Sequence, residues 1–420
     1  MKKLAILALG VMVSCGAFAQ VKQLKEAASL ANKGQVNEAA ALIASSENGE
    51  GVTAKDKAAA YYALAVAYYK SFMDEASIQT TNIANKQLGK EEQPVDLEKM
   101  HQGIYNAFVN FLKCDEFDAQ PDEKGKVKMK YRAEVSKTYW NQRPQLINAG
   151  QYYYTKENPE LAKKMWGLYL DLKKAPLFEE FAAEPDQYAG MISYYISFLS
   201  YQTEDFDTFK KYSSYAMEDP EQSKNTTEIA VAMLQNKFVA TKSAEDSLAF
   251  LTAAKTAHEK YPDVQRYFNA VAQCLSSQPA LLSKFMDDEI TKNPNAPLPY
   301  QYKGDMAMND QKYDEAIPLY AKVVELDAQN VAATFNLGVC YYNKANTLKD
   351  QLADKKTGGL TTANADKVKA ILADAQKYLE KARELDPEQE TCRWAYILGN
   401  VYYVRGENAK YEEVSKLVKK

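Results

Sequence analysis

The chain has 420 residues, of which 46% are hydrophobic, and this apolar content excludes a generally disordered protein. Only 17 glycines and 14 prolines occur, so turns are sparse and a sheet-rich fold is not expected. Its 52 basic and 56 acidic residues give a formal net charge of −4, which is too balanced for a general nucleic-acid binder.

The first nineteen residues have the pattern of a bacterial secretory signal peptide. Lys2 and Lys3 form a basic start, residues 4–13 are apolar, and the run Ala17-Phe18-Ala19 is a small-x-small cleavage site. We therefore predict a signal peptide over residues 1–19, cleavage before Gln20, and a location in the periplasm or cell envelope. No later stretch approaches the ~20 apolar residues of a membrane-spanning helix, so no transmembrane segment is expected.

The five cysteines leave one alternative open and suggest no metal site. Cys15 follows a weak lipobox-like string, so a lipid anchor at Cys15 is the minority alternative to soluble export. Cys114, Cys274, Cys340 and Cys392 show no CxxC spacing, and a zinc site is unsupported. We expect four small buried hydrophobic side chains, and Cys340 with Cys392 is the single disulfide pairing to consider.

Almost every later segment has the periodicity of an amphipathic helix. Residues 55–72 place Tyr61, Leu64 and Tyr68 at helical spacings, and the same rhythm recurs over 127–154, 223–240 and 263–275. Alternating strand patterns are missing, and prolines follow several apolar runs. The sequence therefore predicts an all-α chain. We expect nine helix hairpins, over 22–47, 54–115, 122–174, 185–218, 222–260, 263–293, 297–327, 331–386 and 390–418.

A repeated motif appears in the last third of the chain. Residues 337–341 and 398–402 are both L-G-x-x-Y, and Gly304 lies 34 residues before Gly338. Ala316 follows Gly304 by twelve residues, and Ala162 follows Gly150 by the same twelve. The pattern resembles the tetratricopeptide repeat (TPR). This resemblance implies a right-handed α-solenoid of antiparallel helix hairpins, in which small residues let paired helices approach closely and large ones fill the space between hairpins.

The resemblance is strong over 297–420 and weaker over 20–296, so we divide the mature chain into two repeat domains at that point. Two hairpins are too long, because they contain extra segments at 73–95 and about 343–370. Each extension is either a binding element or a solvated projection. For residues 122–218 a non-repeat helical domain stays open as an alternative.

The resemblance also implies a concave groove lined by the first helix of each hairpin. The matching positions that we expect to contact a partner are Phe335, Tyr342, Arg393, Tyr396 and Tyr403. Aromatic anchors of this kind suit a protein or peptide partner. The family's carboxylate clamp falls on Gln301, Asp305, Asn336, Arg393 and Ile397. Asn336 alone fits it fully and Asp305 would repel a carboxylate, so capture of free C-termini is not expected.

We find no sequence signature of a catalyst or a cofactor site. Fingerprints for nucleotide, dinucleotide, metalloprotease and esterase sites do not occur, and no cofactor is expected. The densest basic run, from Lys124 to Arg132, would fan around a helix and indicates a solubilising surface. The leading interpretation is a non-enzymatic interaction scaffold. The alternative is an all-α enzyme acting on envelope polysaccharide or peptidoglycan, which would need two carboxylates facing each other across a cleft.

Overall fold

The computed structural model describes residues 19–122 and 124–418. Apart from Ala19, the predicted signal peptide, with Cys15, lies outside these residues. Within the described ranges the regular secondary structure is entirely helical, which confirms the all-α prediction. The chain divides into two compact units, and the boundary falls between Val264 and Gln265.

The first unit contains twelve α-helices and two short 3-10 helices in its described part. Their bounds are α1 19–32, α2 Val36–Ser46, α3 Ala54–Gln87, α4 Leu97–Asp118, α5 Arg132–Tyr139, η1 Trp140–Gln142, α6 Gln145–Thr155, α7 Pro159–Leu172, η2 Pro176–Phe181, α8 Ala189–Gln202, α9 Phe206–Tyr212, α10 Ser214–Glu218, α11 Ser223–Thr241 and α12 Ala244–Lys260.

The second unit contains eight α-helices in its described part. Their bounds are α13 Gln265–Leu275, α14 Pro279–Lys292, α15 Pro297–Asn309, α16 Tyr313–Leu326, α17 Val331–Leu352, α18 Thr362–Leu385, α19 Trp394–Arg405 and α20 Asn408–Ser415. The repeats that the motif predicts from residue 297 onward all lie in this unit.

Helices pack in consecutive pairs, as the repeat motif predicts. The most extensive contacts join α3 to α4, α6 to α7, α15 to α16 and α17 to α18. Further extensive contacts also join helices that are near neighbours in chain order, such as α16 with α17 and α18 with α19. This pattern is that of a helical-hairpin repeat, in which each unit contacts the units beside it.

Local sequence signals set where these helices begin. Thr53 and Asp56 form a capping box at the start of α3, with the Thr53 side chain accepting from Asp56 N. Asn158 and Asn330 accept backbone N–H bonds in the same way at the starts of α7 and α17. Such caps satisfy N–H groups that have no partner inside the helix.

The basic run is not helical, so the prediction of a helix from residue 127 is wrong. The described residues between Asp118 and Arg132 form turns and irregular chain, and α5 begins at Arg132. Gly125 has a φ of +72°, and Asp122 Oδ1 accepts the backbone N–H groups of Lys124 and Lys126 at 2.9 Å. This side chain closes a local turn, which competes with helix formation.

Both predicted extensions exist, as lengthened helices. Helices α17 and α18 are joined by residues 353–361, which lie inside the predicted extra segment at about 343–370. Helix α3 continues unbroken to Gln87, and the chain then returns along it. In this return segment, Asn82 Nδ2 donates to Gln93 O at 2.6 Å and Asn82 Oδ1 accepts from Gln93 N at 2.8 Å. A buried asparagine therefore fixes the segment between α3 and α4.

Candidate functional site

The position of α19 depends on a loop that is organised by one carboxylate. Asp386 follows α18, and its side chain accepts backbone N–H bonds from Glu390, Thr391 and Cys392 at 2.8–3.0 Å. The backbone oxygen of Asp386 accepts from Trp394 Nε1 at 2.7 Å. Trp394 is only 1% exposed, so the first residue of α19 is anchored in the core.

Close approach of paired helices depends on the predicted glycines. A Cβ on Gly338 would lie 2.7 Å from Leu379 Cγ and 3.2 Å from Leu379 N, which brings α17 against α18. A Cβ on Gly304 would lie 3.0 Å from the Tyr320 ring. These contacts match the role that the repeat motif gives to small residues, because a side chain there would force the helices apart.

The five predicted site residues fall into two groups. Phe335 and Tyr342, both on α17, are partly buried and pack against the hydrophobic core that α17, α18, α19 and α20 share. Tyr396 and Tyr403 on α19 are 61% and 66% exposed, and Arg393 is exposed just before that helix. Two of the five predicted residues therefore pack against the core, and the other three are exposed on the surface.

A constant step in the sequence explains the difference between the two groups. The 61 residues that separate Leu337 from Leu398 also separate Phe335 from Tyr396 and Tyr342 from Tyr403. Corresponding positions therefore pack against the core in the α17 repeat, whereas in the α19 repeat they are exposed. Helix α19 thus presents two aromatic packing positions, Tyr396 and Tyr403, that are more than half exposed.

Tyr411, which sequence reasoning missed, extends this exposed surface. Its ring lies 5.5 Å from the Tyr403 ring in a tilted arrangement, and its side chain is 37% exposed. Tyr396 and Tyr403 are seven residues apart, so they lie on the same face of α19, two turns from each other. We call Tyr396, Tyr403 and Tyr411 the aromatic end face. Tyr411 belongs to the second helix of its hairpin, and the groove pattern considers only first helices.

Two of the residues at the carboxylate-clamp positions, Asp305 and Asn336, contact each other and the neighbouring Tyr320. The Tyr320 hydroxyl donates to Asp305 Oδ1 at 2.5 Å, and Asn336 Nδ2 lies 3.5 Å from the same oxygen. Burial raises the pKa of Asp305 above its usual value, and the two donated hydrogen bonds oppose this only in part. The Asn336 side chain is therefore directed at Asp305 within the fold.

Two acidic side chains that each follow or precede another carboxylate in the sequence, Glu180 and Asp287, make local contacts. Asp287 forms an ion pair with Lys303, and Glu180 accepts from Ser136 Oγ at 2.5 Å. In the described part of the chain, no cluster of three or more His, Cys, Asp or Glu side chains is arranged to hold a metal ion. Among the same residues, no helix has the length and apolarity to cross a bilayer.

The described cysteines are unpaired thiols, and burial governs their chemistry. Cys114, Cys340 and Cys392 are buried, and Cys274 is partly exposed. Burial raises the pKa of Cys340 and of Cys392 to about 12. These thiols are therefore protonated at neutral pH and unreactive as nucleophiles. The Cys340–Cys392 pairing that the sequence suggests is not formed in this structure, where both thiols are free.

Comparisons with known proteins find limited similarity. No protein-family model matches the chain. A TPR repeat-containing protein of Methanocaldococcus jannaschii is 24% identical over 163 residues, which are 34% of this chain and 28% of that relative. The match thus spans less than a third of the relative's length.

Similar solved structures include a human IFIT1 dimer with m7Gppp-AAAA, at 14% identity, a TM-score of 0.32, and coverage of 72% of this chain and 74% of that one. A TPR repeats protein from Bacteroides fragilis is similar at 17% identity, a TM-score of 0.28, and coverage of 62% of this chain and 98% of that one.

The packed hairpins and the glycine contacts define an all-α helical-hairpin repeat protein. Within that class, the repeat motif and the match to the Methanocaldococcus protein show that this chain resembles tetratricopeptide repeat proteins.

Proposed function

We propose that this chain is an exported, non-catalytic scaffold of the bacterial cell envelope, and that it binds a protein or peptide partner through the aromatic end face. The observation that carries the proposal is the exposure of Tyr396 and Tyr403, 61% and 66%, at positions whose equivalents in the preceding repeat are packed. Because the residues at these two positions are of the type that packs between repeats, the aromatic end face is suited to bind a helix of a partner.

Side-chain chemistry supports a protein partner. Tyrosine is enriched among residues that dominate binding energy, because it buries a large ring at a small entropic cost and retains a hydroxyl for hydrogen bonding. Arg393 lies exposed at the start of α19 and adds a charged rim to the tyrosines. Nucleic acid is not the expected partner, since the chain as a whole carries no excess of positive charge.

Export is supported by the signal-peptide pattern of residues 1–19. Mass spectrometry of the protein recovered from its host cell tests this part of the proposal. A mature chain that begins at Gln20 agrees with soluble export. A lipid-modified Cys15 at the N-terminus would replace it with the anchored alternative, and an intact Met1 would contradict export.

The binding surface can be tested by photo-cross-linking in the host cell. A photoreactive phenylalanine analogue replaces Tyr396 or Tyr403, and the control carries it at Tyr201 on α8, which is 39% exposed. We expect one discrete adduct from both end-face positions and none from the control. Equal adducts at all three positions would contradict a specific site.

The energetic contribution of the tyrosines is tested with the captured partner. Because exposed side chains contribute little to folding, Tyr396→Ala combined with Tyr403→Ala should leave the helical circular-dichroism signal unchanged. The same double variant should weaken binding by more than ~2 kcal/mol, the usual scale of aromatic hot spots. A Tyr201→Ala variant serves as the matched control. Unchanged affinity in the double variant would place the partner elsewhere.

A further inference from the structure

A polar pocket in the first unit has no role in the proposed function. It lies where the extended hairpin of α3 and α4 meets α6, and its volume is about 390 Å³. This volume falls in the ~300–1,000 Å³ range of small-molecule sites. The residues that matter to its chemistry are Gln79 on α3, His101 on α4, and Asn148, Gln151 and Tyr152 on α6.

The pocket wall contains no charged side chain. None of its lining residues is Asp, Glu, Lys or Arg. Burial lowers the pKa of His101 to about 4, so the imidazole is neutral at physiological pH. Lys156 approaches the Tyr152 ring at 5.8 Å but does not line the pocket. A charged ligand would lose water here without gaining an opposite charge, and the site therefore favours a neutral one.

Its open surface offers hydrogen bonds that the protein itself does not use. Gln79 and Gln151 are exposed, and their amides have no side-chain partner in the part of the chain that is described. Each amide both donates and accepts, which matches hydroxyl groups of a ligand. The apolar residues Phe72 and Met100 are each only 4% exposed, so the pocket gives little contact to an inserted aliphatic side chain.

Tyr152 supplies a fixed aromatic surface beside these amides. Its ring is partly buried and lies 4.7 Å from the His101 ring and 5.0 Å, edge to face, from the Tyr153 ring. Neighbours on two sides hold the ring in place before any ligand binds. A rigid ring of this kind can contact the C–H face of a sugar at little entropic cost.

An unpaired nitrogen lies in the same wall. His101 is 6% exposed, and its Nδ1 has no hydrogen-bond partner among the described residues. A hydroxyl can either donate to or accept from this nitrogen, so it can pair with both neutral tautomers. Because Nδ1 is covered from solvent, such pairing requires the imidazole to turn toward the pocket, and this rotation would change its NMR signal.

From this arrangement we propose that the pocket of Gln79, His101, Gln151 and Tyr152 binds a neutral saccharide, which its amides hold by hydrogen bonds and its tyrosine contacts face-on. A polyhydroxyl ligand uses the free amides, the fixed ring and the unpaired nitrogen together. A peptide would use the amides but would find little apolar surface for its side chains. This site is independent of the aromatic end face, and either can fail without the other.

The chain's two histidines allow a direct test on the full protein. With isotope-labelled histidine, only His101 and His258 give imidazole signals, and a His258→Gln variant assigns them. The probes are N,N′-diacetylchitobiose, maltose and cellobiose, with digalacturonate as a charged sugar and N-acetyl-Gly-Leu-Gly-amide as a peptide. We expect at least one neutral disaccharide to shift the His101 signal saturably, and digalacturonate to bind about tenfold more weakly.

Variants assign the effect to the pocket. Gln79→Ala combined with Gln151→Ala should weaken saccharide binding about tenfold through the lost hydrogen bonds. The control is Gln87→Ala, an exposed amide two turns along α3 and outside the pocket. The proposal is overturned if no neutral disaccharide shifts His101 at tens of millimolar, if the peptide binds more tightly than every saccharide, or if the control variant weakens binding equally.

Discussion

Gly338 and Gly399 occupy the same position in two repeats but have different surroundings. A Cβ at Gly338 would press on Leu379, whereas a Cβ at Gly399 would find its nearest neighbours, in Tyr411 and Val414, at 3.9 Å. The sequence motif predicts both glycines equally well. It cannot predict this difference, because the space beside a residue depends on how closely its partner helix approaches.

This contrast gives a prediction with an internal control. Gly338→Ala should lower the free energy of unfolding by about 1–3 kcal/mol through overpacking. Gly399→Ala meets only ordinary van der Waals contact, and should raise it by up to about 1 kcal/mol because alanine favours helix. Chemical denaturation of the two variants measures both values. Equal effects of the two substitutions would contradict the close approach of α17 and α18 at Gly338.

Asp386 makes stability depend on pH at the acid end. Burial opposes ionisation of this carboxyl, but the N–H groups of Cys392, Glu390 and Thr391 donate to it, and its pKa is lowered below the usual value. The ionised form therefore stabilises the fold fully above about pH 4, and this contribution is lost as the pH falls through the lowered native pKa.

We expect Asp386→Asn to remove that acid dependence. The variant loses an acceptor for buried N–H groups, so its free energy of unfolding at neutral pH should fall by about 1–3 kcal/mol. Below pH 4 the difference from the natural protein should shrink, because the natural carboxylate is itself becoming protonated. Denaturation curves across pH 2–7 measure this, and a constant difference would contradict the role given to the charge.

At the scale of elements, the periodicity of apolar residues predicts most helices, and the excess over the repeat length predicts both lengthened hairpins. Periodicity failed at residues 127–131, where Asp122 and Gly125 form a turn that it does not reveal. It also could not foresee that Phe335 and Tyr342 would be partly covered by packing while Tyr396 and Tyr403 stayed open, since burial depends on neighbouring repeats.

The return segment after α3 supplies a prediction at this scale. Asn82→Ala removes both side-chain hydrogen bonds to Gln93, so residues 88–95 should lose their fixed position along the helix. Amide hydrogen exchange in that segment should accelerate, while α6 stays protected. Asn85→Ala is the matched control, because Asn85 is only partly buried and donates a single longer bond of 3.2 Å to Glu91 O. Equal acceleration in both variants would contradict the special role of Asn82.

At the scale of the whole molecule, each unit has its own buried core. In the described part of the second unit, one buried cluster contains Leu337, and a second contains Leu379, Trp394 and Leu398. A unit of about 150 residues is large enough to bury some two thirds of its unfolded surface. The domain boundary predicted at residue 297 came from the cleanest repeats, whereas the compact second unit begins with α13.

We therefore expect residues 265–420, produced alone, to fold. Circular dichroism should show a helical spectrum with no strand signal, and denaturation should give one cooperative transition. The control is a fragment over 297–420, which lacks α13 and α14 and exposes the face of α15 that contacts α14. It should be less stable. An unfolded 265–420 fragment would show that its core is insufficient.

Because each helix pairs with its near neighbours in the chain, the hairpins can fold one after another during synthesis. A helix that leaves the ribosome or a translocation channel finds its partner within the next few dozen residues, so structure can form in the order of synthesis. Early hairpins need not wait for late ones. A destabilising substitution in a late hairpin, such as the one that carries Tyr403, should therefore leave the folding of the early hairpins unchanged, because they fold first.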